Sequence, residues 1–243
     1  MIGLILISVS AGLLLILTLR RRKSPVKLRD IPALRRLVRA IGLSVEDGTR
    51  LHVALGHGNL LTASSGSALA GLAMLRHLSE RTSVSDRPPV AAAGDPALAL
   101  LAQDTLQAGY QAAGAQELFQ PTTGRLAGLG PFGFAAGSMP MIQDENVSTA
   151  ILLGHFGPEA ALLTESAERA NVLTLGASDD LSAQSVLFAA AHEPLIGEEL
   201  FAAGAYLGAG PSHAASLTLQ DILRWLIILA LIGGAAAKFT GAI

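Results

Sequence analysis

The chain is apolar at both ends and mixed in between. Residues Ile2 to Leu19 carry no charge and run straight into Arg20-Arg21-Arg22-Lys23, and Trp225 to Ala237 form a second apolar run near the C-terminus. As a helix the first run rises about 27 Å, close to the thickness of a bilayer's hydrocarbon core. Its positive charge follows the apolar stretch instead of preceding it, which favours a retained anchor over a cleaved signal peptide. In the second run, Thr218 followed by Asp221 resembles a capping box, so a helix over Leu219–Lys238 is expected, about 30 Å long. Trp225 beside Arg224 suits a membrane interface, and Gly233 to Ala237 offer a smooth strip for a neighbouring helix. A C-terminal amphipathic or buried helix is the alternative.

Between the two runs the pattern changes to a repeated unit: a short apolar strand, a glycine-containing turn and an Ala/Leu-rich helix. Five strands are expected, at Leu51–Leu55, Val90–Ala93, Arg125–Leu129, Ala150–Leu153 and Val172–Leu175. Strands alternating with helices predict an α/β fold: a three-layer, Rossmann-like, mostly parallel sheet of about five strands, flanked by N- and C-terminal transmembrane helices. Pro96, Pro131 and Pro158 are expected at first helical positions. The chain then divides into a transmembrane helix (1–19), a basic juxtamembrane segment with an amphipathic helix (20–50), the α/β domain (51–210) and a second transmembrane helix (219–240).

Charge sharpens this division. Residues 20–50 hold ten Lys and Arg against three acids, whereas residues 51–218 hold five against 15. The basic stretch suits anionic headgroups and, since Lys and Arg concentrate on the cytoplasmic side of a span, orients the chain with its main domain in the cytoplasm. That implies a two-span protein of the cell inner membrane, with the lipid bilayer and either further copies of itself or other membrane proteins as partners. The acidic domain argues against nucleic acid. Ile31, Leu34, Leu37, Val38 and Ile41 recur at helical spacing, which fits either an interfacial helix lying on the bilayer or the first helix of the domain. Cysteine is absent, which excludes disulfides and thiolate chemistry and fits a reducing compartment.

In a parallel sheet, the turns leaving the strands share the C-terminal edge, where helix N-termini present unpaired N–H groups. His57, Asn59, Asp95, His155, Glu159, Asp179 and Asp180 lie in or next to those turns. The candidate ligand-binding rim is Gly56, His57, Gly58, Asn59, Gly94, Asp95, Gly154, His155, Gly157, Asp179 and Asp180, with no metal site, no assigned catalytic residue and an unknown cofactor. Simpler roles stand beside this one: the aspartates as helix N-caps, the glycines as turn residues, the histidines as unrelated loop side chains. No P-loop, zinc-protease or nucleophile-elbow motif occurs. Gly128-x-Gly130-x-x-Gly133 matches the dinucleotide fingerprint, but Pro131 interrupts it and the next strand ends at Gly154-His155 without an acid for a ribose hydroxyl. Ser64-Ser65-Gly66 could open a helix as a phosphate seat or simply as its N-cap.

The runs Asp86-Arg87-Pro88-Pro89-Val90, Ala93-Gly94-Asp95-Pro96, Phe156-Gly157-Pro158-Glu159 and Gly176-Ala177-Ser178-Asp179-Asp180, with Glu193-Pro194-Leu195-Ile196-Gly197, resemble a family of uncharacterised bacterial membrane-anchored proteins with an α/β domain of unknown function. The resemblance covers roughly residues 30–210 and implies a single domain and a bacterial source, with no activity attached. Two functions are expected from the residues. One is a structural or assembly subunit of a membrane complex that binds a small polar or anionic ligand at the rim. The other is a membrane-bound hydrolase or nucleotide-acting enzyme using His57 and His155 with Asp95 or Asp179, which requires a His–Asp pair within hydrogen-bond reach beside a concave pocket.

Overall fold

The computed structural model describes residues 2–22, 29–208 and 210–240, so Lys23 and Lys27 of the basic segment lie outside the described residues. The chain forms two compact units, one from its two ends and one from Arg29–Gly208. In the terminal unit, α1 (Ile2–Arg21) and α9 (Pro211–Phe239) lie against each other, and both are long and apolar enough to cross a membrane. α9 starts earlier than expected. Pro211 occupies its first turn, so Thr218 is an interior residue whose hydroxyl donates to the Ala214 carbonyl 3.2 Å away, and the expected capping box does not form. A side chain at Gly233 or Gly234 would meet no atom within 4 Å, so these two glycines of the strip are not packed against α1.

The second unit is a six-stranded, wholly parallel sheet in the order β3-β2-β1-β4-β5-β6, one strand more than expected. The strands are β1 (Arg50–Gly56), β2 (Val90–Ala93), β3 (Gly124–Leu126), β4 (Val147–His155), β5 (Leu173–Ser178) and β6 (Glu193–Leu195). β6 is the addition: three residues with Pro194 at the centre, tolerated because an edge strand leaves one row of groups unpaired. The four inner strands are apolar and almost wholly buried, as a sheet covered on both faces requires.

Alternation along the strands feeds two cores. Leu51, Val53, Leu55, Ile151 and Leu153 pack under α2 (Pro32–Glu46), α3 (Ser65–Thr82), α4 (Pro96–Ala112) and α8 (Glu199–Tyr206). Ala54, Ala150 and Leu152 face α5 (Gly130–Asp144), α6 (Ala160–Arg169) and α7 (Leu181–Ala190). α2 settles the alternatives for the juxtamembrane helix. Leu34, Leu37 and Ile41 are buried in the first core, so it is the first helix of the domain, which accordingly begins at Arg29 and not at residue 51. Its arginines point outward, where Arg36 pairs with Glu193 of β6 and so ties the helix to the sheet's edge. Pro96 and Pro131 lie in the first turns of α4 and α5, as expected, whereas Pro158 precedes Glu159, the N-cap of α6.

Candidate functional site

The strand order fixes where the chain reverses direction across the sheet. From β1 it winds outward through β2 to β3, then returns to lay β4 on the other side of β1. Ligands of doubly wound sheets bind in the crevice at this switch point, beyond the carboxyl ends of the strands. His57 follows β1 directly and His155 ends β4, so the two histidines stand on either side of it. Their rings meet edge to face, with centroids 5.1 Å apart.

Each imidazole is held by a carboxylate. His155 Nδ1 lies 2.7 Å from Asp179 Oδ1, and Ser67 donates to the other oxygen of Asp179 across 2.9 Å. His57 Nε2 lies 3.0 Å from Glu159 Oε1, which also accepts the Gly157 N–H at 2.8 Å. Ionised carboxylates only accept, so in the neutral rings the protons sit on His155 Nδ1 and His57 Nε2. The bare nitrogens are therefore His155 Nε2 and His57 Nδ1. The side chain of Glu159 is fully buried while His155 and Asp179 retain about a quarter to a third of their exposure, so the pair at β4 is the more open.

The rim glycines make room for this pair. A Cβ on Gly94 would lie 2.8 Å from His57 Cβ, one on Gly58 3.0 Å from His155 Cβ, and one on Gly157 2.8 Å from Glu159 Oε2. On the seam between β1 and β4, a Cβ on Gly56 would fall 2.1 Å from the His155 carbonyl oxygen and one on Gly154 2.0 Å from that of Leu55. These are approaches no larger residue permits. The aspartates divide between the two roles expected for them. Asp95 caps α4 through the Leu98 N–H and accepts from Asn59 Nδ2 at 3.3 Å, and Asp180 caps α7 through the N–H groups of Ser182 and Ala183. Hydrogen bonds from Ser182 and Ala183 hold the Asp180 carboxyl below its ordinary value. Asp179 alone turns to a histidine, so Asp95 is a cap and not an orienting group.

Two other sequence expectations change. Ser64 precedes α3 but makes no side-chain cap; its hydroxyl accepts the Asn59 N–H at 3.1 Å and pairs with Thr62, bracing the turn. The fingerprint glycines follow β3 at the far edge of the sheet, and a Cβ on Gly128 would lie 2.3 Å from the Gly133 carbonyl oxygen. They close a loop onto the start of α5. Ser67 belongs to the site although nothing in the sequence marks it, since its partner is 112 residues away. Among the described residues, no group of three or more His, Cys, Asp and Glu side chains is arranged to hold a metal ion.

No curated protein and no solved structure matches the chain. The family described as "Domain of unknown function (DUF6754)" matches residues 1–242. The α/β domain, its switch-point histidines and both long apolar terminal helices therefore lie within one family unit, and the chain belongs to that family.

Proposed function

We propose that the chain is a two-span protein of the cell inner membrane whose cytoplasmic α/β domain binds a small polar ligand at the switch point, between His57 and His155. The observation that carries this reading is the pair of carboxylate-held imidazoles meeting at the one place in the fold where a ligand crevice is expected. Two terminal helices of spanning length and the Arg20–Arg22 cluster support the membrane placement. Gly233 and Gly234, open on α9, suit contact with a second copy or another membrane protein, which makes the domain a ligand-responsive member of an assembly. Nucleic acid has no part in this reading.

A hydrolytic reading is favoured by the His155–Asp179 pair in particular. Asp179 fixes the tautomer that leaves Nε2 basic, the arrangement by which a histidine takes a proton from a nucleophile. Ser64 and Thr62 are bonded into their turn and Ser67 is bonded to Asp179, so the nucleophile would be water. Native mass spectrometry of the full-length protein released from nanodiscs tests both readings. It is expected to show a small-molecule adduct that is lost in the His57→Gln/His155→Gln variant while the fold and copy number persist. An adduct unchanged in that variant contradicts the site. In the hydrolytic case, His155→Gln and Asp179→Asn each lower turnover of an activated ester by about 10²–10⁴-fold.

A further inference from the structure

We infer that the ligand of this site presents a hydrogen-bond-donating or cationic group to the two histidines, carried on an apolar body, and that it is not a phosphate ester. The inference rests on the binding reading above and specifies its ligand. The strand order is that of dinucleotide-binding folds, in which a pyrophosphate sits on a helix N-terminus beside glycines. Here the chemistry of the same edge is reversed. The turns leaving the strands (56–64, 94–95, 127–129, 156–159, 179–180 and 196–198) contain no Lys or Arg, and they carry Asp95, Glu159, Asp179, Asp180 and Glu198. A phosphate would enter a field of its own sign. The helix starts after the two flanking strands, β2 and β5, are filled from within, since the carboxylates of Asp95 and Asp180 take the free N–H groups of α4 and α7, whereas α3, which follows β1, has no side-chain cap.

What remains on offer at the switch point is acceptors. His155 Nε2 and His57 Nδ1 are bare in the neutral rings, and Glu159 Oε2, in a side chain with no exposure, has no donor among the described residues. Acceptors without donors select a hydroxyl or an ammonium group. On the same turn as His57, Leu61 is 95% exposed. A large apolar side chain left in water on that turn fits a ligand with a hydrocarbon portion.

The test uses three probes of one chain length, hexylamine, hexanol and hexyl phosphate, titrated into the full-length protein in nanodiscs while the imidazole nitrogen resonances of His57 and His155 are followed by NMR. Hexylamine or hexanol is expected to shift both imidazoles and to bind at least about tenfold more tightly than hexyl phosphate, a preference that the His155→Gln variant loses. Hexyl phosphate binding as tightly as the others, with the same resonances shifting, overturns this inference and leaves the binding site standing. If none of the probes moves either imidazole, both the inference and the switch-point site fail.

Discussion

Gly56→Ala is expected to destabilise the domain by at least about 3 kcal/mol and to dismantle the histidine pair together with the seam that positions it. Gly56 has φ of 72°, a left-handed conformation that costs an alanine about 1 kcal/mol. The larger part of the effect is steric. The added Cβ would fall 2.1 Å from the His155 carbonyl oxygen, a backbone atom that also accepts the His57 N–H at 3.0 Å. Neither side can yield without breaking the pairing of Gly56 with His155 at the end of the β1–β4 ladder. Gly154→Ala meets the mirror-image obstacle at Leu55. Gly42→Ala is the internal control: this glycine lies in exposed helix with nothing within 4 Å of an added Cβ, so the substitution should stabilise by about 0.5–1 kcal/mol. Chemical denaturation of the full-length variants measures all three, and a Gly56→Ala protein as stable as wild type would mean that the seam is looser than described.

The second large effect is acid sensitivity centred on His52. This side chain is wholly buried in the middle of β1, and neither ring nitrogen has a partner among the described residues. Burial drives its pKa down from 6.5 to about 4; Glu145 pulls it upward and Arg125 pushes it further down, both by smaller amounts. The unfolded chain takes up a proton near pH 6.5 that the folded chain refuses until about pH 4. Stability from this group is therefore complete above pH 6.5 and falls as the pH drops toward 4, by up to about 3 kcal/mol. His52→Leu removes the titration and two orphaned polar atoms at once. It should leave stability at pH 7.5 unchanged or raised and flatten its decline between pH 6.5 and 4. Denaturation midpoints across that range test this, and superimposable acid limbs in wild type and variant would show that the decline arises elsewhere.

The parts of the fold carried by local pattern were legible in the sequence. Four of the six strands, β1, β2, β4 and β5, are mainly apolar runs with a glycine at or near their ends, and their alternation with helices is enough to imply a parallel sheet. β6 escaped because Glu193-Pro194-Leu195 has neither an apolar run nor a free proline N–H; it becomes a strand only where β5 offers it an edge. The start of α9 was misplaced because Thr218 and Asp221 fit a cap locally, while Pro211 had already started the helix seven residues earlier. The periodicity of α2 reads the same for a bilayer surface and for a sheet surface, and only the packing of Leu34 and Leu37 distinguishes them.

The site was legible as an inventory and not as an arrangement. Every strand-to-helix turn in a parallel sheet lies on one edge, which is why His57, His155 and Asp179 could be named. Which of them meet depends on strand order, a property of the crossover between β3 and β4 that no local signal records. His57 and Glu159 are 102 residues apart, and Ser67 and Asp179 are 112. The three aspartates look alike in sequence, yet two cap helices and the third holds a histidine, because only Asp179 follows the strand next to β4 at the level of His155.

The opposed tautomers of the two histidines are the most direct consequence of the carboxylate-held pair. Imidazole nitrogen NMR of the selectively labelled full-length protein, recorded where both rings are neutral, is predicted to show the proton of His155 on Nδ1 and that of His57 on Nε2. Asp179→Asn should disturb the first ring alone. Both histidines in the same tautomer, or exchanging freely between the two, would contradict the carboxylate-held pair at the switch point and with it the proposed site.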